Sequence, residues 1–300
     1  MTRRLSKGNK SSLEGIKWFK DHKYKLKEEL ADLKVIYTDM DGTLLNDEGC
    51  MIRDVNGGFF LGCLKLFEEI NRRDWDIVLV SGRSKSQLRY NAMLIGVKNY
   101  IVELGCELVH NLGENVYITF DKTKYNYEIT RGGKDLIRII GLLKNAFPGR
   151  IDSNVEWSMP RTYNALFMGD VDLKKANRVL SENGYEGLVL ADNGFTKLAR
   201  LDLNVSHLRI YNLIPKGVDK SLAIKMDRKI RGFKLKNCIG LGDSLEDLKM
   251  AKEVHAFFLM RDAIERDPEI LETVKQYENI YVTSQIMNRG WAEVIKYLAH

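Results

Sequence analysis

The sequence has few cysteines, no long apolar run, and no interleaving of basic and aromatic residues through its body. Each absence closes a class of function. The four cysteines, Cys50, Cys63, Cys106 and Cys238, are scattered over 300 residues and form no CxxC pair. They read as reduced thiols in a reducing compartment such as the cytoplasm, with neither a disulfide framework nor a zinc site. No stretch approaches the roughly 18 apolar residues that a membrane span needs. The N-terminal "MTRRLSKGNKSSLEG" is charged and lacks the apolar centre of a secretory signal. No internal repeat or low-complexity segment is present. The net charge is +6, but residues 1–30 hold nine Lys/Arg against four Asp/Glu, a net of +5. The rest of the chain is therefore nearly neutral, which argues against a nucleic-acid partner. The basic segment reads as an amphipathic helix. Ser11 with Glu14 fits a capping box, and Ile16, Phe19, Leu26, Leu30 and Leu33 recur at near-helical spacing. Such a helix packs on the core or on a partner subunit, so a homodimer stays open.

What the sequence does contain is the 44% hydrophobic and 29% charged content of an ordinary globular protein. Short apolar runs alternate with helical patterns. Strands are expected at 34–39, 76–82 and 99–104, with helices at 62–74 and 84–96 between them. Continuous apolar strands separated by helices indicate a parallel sheet covered on both faces. The pattern then changes. A hairpin is expected over 106–120, a long helix over 132–149, a strand at 164–170, a helix at 172–184, and strands at 187–192 and 207–215. The doubly wound pattern resumes with a helix at 219–232, a strand at 237–243, a helix at 245–254, a strand at 255–260 and a closing helix at 288–300. The expected class is α/β: a Rossmann-like doubly wound parallel sheet core carrying an inserted α/β cap domain. The expected parts are a basic helical extension over 1–33, a core of 34–121 with 213–300, and a cap over 122–212.

The chemistry concentrates at strand ends. In "YTDMDGTLL" (37–45), Asp39 and Asp41 are two residues apart, so on an extended strand they share one side. The carboxyl end of a parallel strand is where open α/β sheets place ligands. Two neighbouring carboxylates repel unless a cation intervenes, and Mg²⁺ is the usual oxygen-ligated choice. Asp-Gly is also common in plain surface turns. A DxDxDG calcium loop does not fit, because Thr43 and Leu44 stand where its third acid and glycine belong. "GLGDSLEDL" (240–248) delivers a further acid, Asp243, to a strand end, with Asp247 one turn into the following helix. Gly-Asp-Ser is also an ordinary helix cap. "VLVSGRS" (78–84) puts Ser81 and Gly82 where a hydroxyl and helix-start N–H groups can hold a phosphoryl oxygen, or simply cap a helix. "PKGVDKSLAI" (215–224) offers Lys216 and Lys220 around a helix start, either solvated or able to neutralise phosphate charge.

Together and in this order, the four motifs resemble those of the haloacid dehalogenase superfamily of phosphohydrolases. "DMDGT" is similar to its DxDGT nucleophile motif, "VSGR" to its Ser/Thr motif, Lys220 to its basic motif and "GDSLED" to its acidic motif. The 139 residues between Ser81 and Lys220 resemble the branch with a large α/β cap at that place, which is rich in sugar-phosphate phosphatases. The C-terminal "GWAEVIKYL" resembles the end of mannosyl-3-phosphoglycerate phosphatases. The resemblance implies an Mg²⁺-dependent phosphomonoesterase acting on a small phosphorylated metabolite. Asp39 would be nucleophile and Asp41 the acid and base. Mg²⁺ would be held by the Asp39 carboxylate, the Asp41 carbonyl and Asp243, and Ser81, Gly82 and Lys220 would hold the phosphoryl oxygens. Two departures stand out. Glu246 replaces the asparagine common before the last acid, which leaves open whether Glu246 or Asp247 supports the metal. Leu104 replaces the asparagine of Glu-Asn-Gly. The segment "DVNGGFF" reads as an extra loop beside the site. The cap offers Arg161, Lys197, Arg200, His207 and Arg209 as candidate anion contacts. A phosphomutase of the same branch and a non-catalytic binding protein on this fold are the rival readings.

Overall fold

The computed structural model describes residues 13–153, 155–195 and 203–300. In chain order the strands are β1 (Val35–Thr38), β2 (Asp76–Val80), β3 (Asn99–Val102), β4 (Glu107–His110), β5 (Asn115–Ile118) and β6 (Ile151–Asp152). They continue with β7 (Ala165–Gly169), β8 (Leu188–Phe195), β9 (Arg209–Pro215), β10 (Cys238–Gly242), β11 (Ala256–Leu259) and β12 (Ile280–Val282). The chain divides into two compact units. The first holds the chain through Asp76, Leu235–Asp243 and Val254–His300; the second holds Ile77–Lys234 and Ser244–Glu253.

In the first unit, β1, β10, β11 and β12 pair in parallel, Val35 with Cys238, Ile239 with Ala256 and Phe257 with Ile280. Every residue of these four strands is buried, as their unbroken apolar runs require. The helices Phe19–Glu29 and Met287–Ala299 bring Phe19 edge-on to Phe258 at 5.2 Å and to Tyr297 at 5.9 Å. The apolar positions expected of the N-terminal helix, Ile16, Phe19, Leu26, Leu30 and Leu33, are all buried. The helix starts at Phe19 behind Trp18, however, and the proposed Ser11 cap lies outside the described residues.

In the second unit, β2 and β3 are parallel and β3, β4 and β5 antiparallel. The expected hairpin is present, turning at Asn111–Gly113. A separate four-stranded antiparallel sheet has the order β6-β7-β9-β8. The helices Lys134–Ala146 and Leu173–Glu182 cover it, with Leu136, Ile139, Leu143, Ala176 and Leu180 in a core shared with Phe167, Leu190 and Tyr211. The α/β class is as expected, a Rossmann-like doubly wound parallel core with an inserted α/β element.

Two expected elements differ, and others appear where none was expected. The helix over 245–254 is only Leu245–Leu248, followed by a 3-10 stretch Lys249–Glu253. Strand β8 runs on to Phe195 with a register shift between Asp192 and Phe195. The stretch 261–282, left without elements by the sequence, holds the helices Arg261–Arg266 and Pro268–Val274 and strand β12.

Candidate active site

In the first unit the site starts at the carboxyl ends of β1 and β10. The backbone carries the sheet one residue past β1, where the Asp39 N–H donates to the Leu241 carbonyl at 2.9 Å. Asp39 is thereby held at the sheet's end with only 6% of its surface exposed, whereas Asp41, two residues on, is exposed. The chain turns back at once: Thr43 N–H and Leu45 N–H both donate to the Met40 carbonyl, at 3.2 and 2.8 Å. Gly42 makes that turn with φ +83°. A Cβ there would lie 2.3 Å from Asp243 Oδ2, so the glycine is needed both for its conformation and for the approach of the second acid. Asp39 and Asp243 each offer a carboxylate oxygen within 4.8 Å of the other's. Hard oxygens at that spacing suit a hard divalent cation.

Asp243 is further held by the Thr43 hydroxyl, at 3.4 Å, and by Arg266 Nη2, at 2.5 Å. Arg266 reaches Asp262 as well, at 3.4 Å, and burial pushes the Asp262 carboxyl above its ordinary range against the pull of Arg266. Strand β1 is anchored from behind. The buried Trp291 indole N–H donates to Thr38 Oγ1 at 3.1 Å, which gives the C-terminal "GWAEVIKYL" a place one residue from Asp39. The "DVNGGFF" loop folds on itself, with Asp54 Oδ1 accepting from Asn56 and Gly58 N–H, and is pinned to the C-terminal helix by Arg289 on Asp54 at 2.8 Å.

In the second unit, Ser81 lies just past β2, buried, with its N–H on the Ile101 carbonyl and its hydroxyl accepting from Arg83 N–H at 3.2 Å. Ser84 then caps the helix Lys85–Ile95 in a capping box with Gln87. Lys220 opens the helix Lys220–Arg231, capped by Asp219. It is 1% exposed, far from the solvated alternative, and its Nζ meets Asp247 Oδ1 at 2.6 Å. Asp247 Oδ2 in turn accepts from Ser244 N–H and Ser244 Oγ, at 3.0 and 2.7 Å. Asp247 therefore positions the lysine and the acidic loop together. Glu246 faces Lys249 instead, at 2.5 Å, and burial pushes its carboxyl up to about 7. The asparagine-to-glutamate departure is thus a buried acid paired with a lysine.

The Glu103-Leu104-Gly105 departure is also structural. Glu103 and Leu104 both take positive φ, at 53° and 59°, and Glu103 is 1% exposed. Its two carboxylate oxygens accept the N–H groups of Thr162 and Tyr163, each at 2.8 Å. Burial raises the Glu103 carboxyl, opposed by those two N–H groups and by Arg161. Leu104, where the family pattern has asparagine, packs in an apolar cluster with Cys106, Tyr163, Ile214 and Val218.

The cap candidates separate. Arg161 is buried and its Nη1 donates to the Gly82 carbonyl at 2.7 Å and to Asn164 Oδ1 at 2.8 Å. Arg209 pairs with Asp192, and His207 is exposed. Arg200 and Lys197 lie outside the described residues. Sequence reasoning missed Arg266, whose contact with Asp243 joins positions 23 apart. It singled out the stretches that hold Glu103 and Trp291 but not their contacts, which lie 59, 60 and 253 positions away.

Known proteins resemble this chain in sequence and in fold. A glucosyl-3-phosphoglycerate/mannosyl-3-phosphoglycerate phosphatase of Persephonella marina is 25% identical over 281 residues, covering 87% of this chain and 95% of that protein. A 5-amino-6-(5-phospho-D-ribitylamino)uracil phosphatase of Bacillus subtilis is 24% identical over 279 residues, covering 91% of this chain and 98% of the other. Among solved structures, the sucrose-phosphatase of Synechocystis shares the fold at a TM-score of 0.59 and 16% identity, over 88% of this chain and 97% of that one. Residues 36–279 match the haloacid dehalogenase-like hydrolases, and the chain belongs to that family.

Proposed function

We infer that this hydrolase is a phosphomonoesterase acting on a small sugar-phosphate-like metabolite, with glycosyl-3-phosphoglycerates as the first substrates to test. The observation that carries the reading is the buried Asp39 at the end of β1, facing Asp243 from the end of β10. Both curated relatives are phosphatases, and one is named for glucosyl- and mannosyl-3-phosphoglycerate.

In this reading an Asp39 carboxylate oxygen attacks phosphorus, and the bond from phosphorus to the substrate's leaving oxygen breaks. Asp41 gives that oxygen a proton, and its exposure suits a group that exchanges protons with substrate and water. Water then attacks the aspartyl-phosphate, Asp41 takes its proton, and phosphate leaves with Asp39 restored. Ser81, Gly82 and Lys220 hold the phosphoryl oxygens. Mg²⁺ is the fitting metal: the carboxylates of Asp39 and Asp243 and the Asp41 carbonyl would hold it, and it would offset the repulsion between nucleophile and phosphate. Asp247 fixes Lys220. The core is assigned to 34–121 and 213–300 and the substrate-selecting cap to 122–212. A cytoplasmic location fits the reduced thiols, and no described helix is long and apolar enough to cross a membrane.

A phosphate-release screen over hexose phosphates, phosphoglycerates and glucosyl-3-phosphoglycerate, with Mg²⁺ and with EDTA, tests this. Release that needs Mg²⁺ and disappears in Asp39→Asn is expected. No release from any compound, or release untouched by Asp39→Asn, rejects the reading.

A further inference from the structure

We propose that Asn193, at the bulged tip of β8, is a specificity residue that hydrogen-bonds an oxygen of the leaving group beside the phosphoryl site; this rests on the phosphatase reading above. A Cβ on Gly82 would lie 2.7 Å from Asn193 Nδ2 and 3.5 Å from Asn193 Cγ, so the absence of a side chain at position 82 makes room for the amide. The Asn193 side chain thus reaches the loop that carries Ser81. It makes no hydrogen bond to another described residue.

The tip is built to hold that position. The register of β8 against β9 shifts between Asp192 and Phe195, which turns the strand's end out of the regular ladder. Gly194 takes φ +93°, and its N–H donates to Asp192 Oδ1 at 2.8 Å. Arg209 clamps the same Asp192 carboxylate. A Cβ on Gly194 would stand 3.8 Å from Ser244 Cβ, which places the tip against the residue that follows Asp243 in the acidic motif. The tip therefore bridges the Ser81 loop and the Ser244 turn, with one neutral amide at its centre.

The chemistry of that amide sets its use. Asparagine offers two N–H donors and one carbonyl acceptor without charge. Beside a phosphate-binding loop it pairs with a hydroxyl or ether oxygen of the leaving group and adds no repulsion toward phosphate. Arg161 has the other role at the same glycine: its guanidinium is engaged by the Gly82 carbonyl and by Asn164, so it positions the loop and leaves recognition to Asn193. A site that hydrogen-bonds a substrate oxygen discriminates strongly against compounds that lack it.

The test compares Asn193→Ala and Asn193→Ser with the unaltered protein on the oxygen-rich phosphates of the screen and on p-nitrophenyl phosphate, whose leaving group has no hydroxyl near the phosphate. Thermal melting confirms that both variants fold. Asn193→Ala is expected to lower kcat/KM on the best oxygen-rich substrate by about 10–100-fold, mostly through KM, since the bonded oxygen is not the one that reacts. On p-nitrophenyl phosphate the change is expected to stay under about threefold, and Asn193→Ser, which keeps a donor, recovers part of the loss. An equal loss on both kinds of substrate, or no loss on either, overturns the assignment while the phosphatase reading stands. An unaltered protein that releases phosphate from no compound overturns both.

Discussion

Replacing Glu103 tests how the inserted sheet's neighbouring loop is held to the Ser81 region. The carboxylate is buried, and both oxygens accept backbone N–H groups, from Thr162 and Tyr163 at 2.8 Å each. Glu103→Ala leaves the buried Tyr163 N–H and the partly buried Thr162 N–H without acceptors. An orphaned buried donor costs about 1–3 kcal/mol and a partly buried one less, so the pair should cost about 2–5 kcal/mol. Glu103→Gln keeps one acceptor oxygen and turns an N–H₂ toward the other donor, which predicts a loss of about 1–3 kcal/mol. The alanine variant should therefore lose about twice what the glutamine variant loses. Urea unfolding followed at one fixed slope gives the two differences. Amide hydrogen exchange then locates them: protection should fall at Thr162 and Tyr163 in both variants, and more in Glu103→Ala. Stabilities of both variants within about 0.5 kcal/mol of the parent, the range of ordinary surface substitutions, would refute the reasoning. So would a loss with unchanged exchange at those two residues.

Gly105→Ala should destabilise the protein by more than about 2 kcal/mol, because φ there is +103° and the new Cβ would lie 2.2 Å from the Asp219 backbone carbonyl; a melting temperature equal to the parent's contradicts this. Cys50 is partly exposed while Cys63, Cys106 and Cys238 are buried, and burial pushes the Cys63 thiol up to about 12. A thiol reagent at pH 8 should therefore label Cys50 rapidly and the other three only after unfolding, with rapid labelling at Cys63 as the contrary result. Arg266→Gln removes the cation paired with Asp243 and Asp262. In EDTA its melting temperature should fall by about 2–4 °C for each kcal/mol lost, and Mg²⁺ should raise it more than it raises the parent's; identical Mg²⁺ shifts in the two proteins would show that Arg266 does not neutralise this site.

The parallel strands were readable in the sequence because strands buried on both faces have to be continuous apolar runs, as "KVIY", "IVLV" and "CIGL" are. The acids were readable because each follows such a run directly, and a strand's carboxyl end is where the chain leaves the sheet. The strength of pairing was not readable. Nothing local to Lys220 says that it is buried on Asp247, that Asp247 folds back onto Ser244, or that the helix they open ends at Leu248. Strand β12 has three residues, and the helices before it have six and seven, too short for a periodic pattern to emerge. The local sign of the second of those helices, Asp267 capping Glu269 N–H ahead of Pro268, is present but brief. Arg161 looked like an anion contact because an arginine in an inserted domain has no visible partner in sequence. Its partners are the carbonyl of Gly82, 79 positions away, and the Asn164 side chain.

In the proposed mechanism Asp39 carries the phosphoryl group. Acid quenching during turnover of a phosphate-releasing substrate with Mg²⁺, followed by mass mapping of peptides, tests it most directly. One added phosphoryl group is expected on the peptide containing Asp39, absent from Asp39→Asn. Phosphate released at the parent's rate by Asp39→Asn, or a phosphoryl group mapped to a different residue, would contradict it.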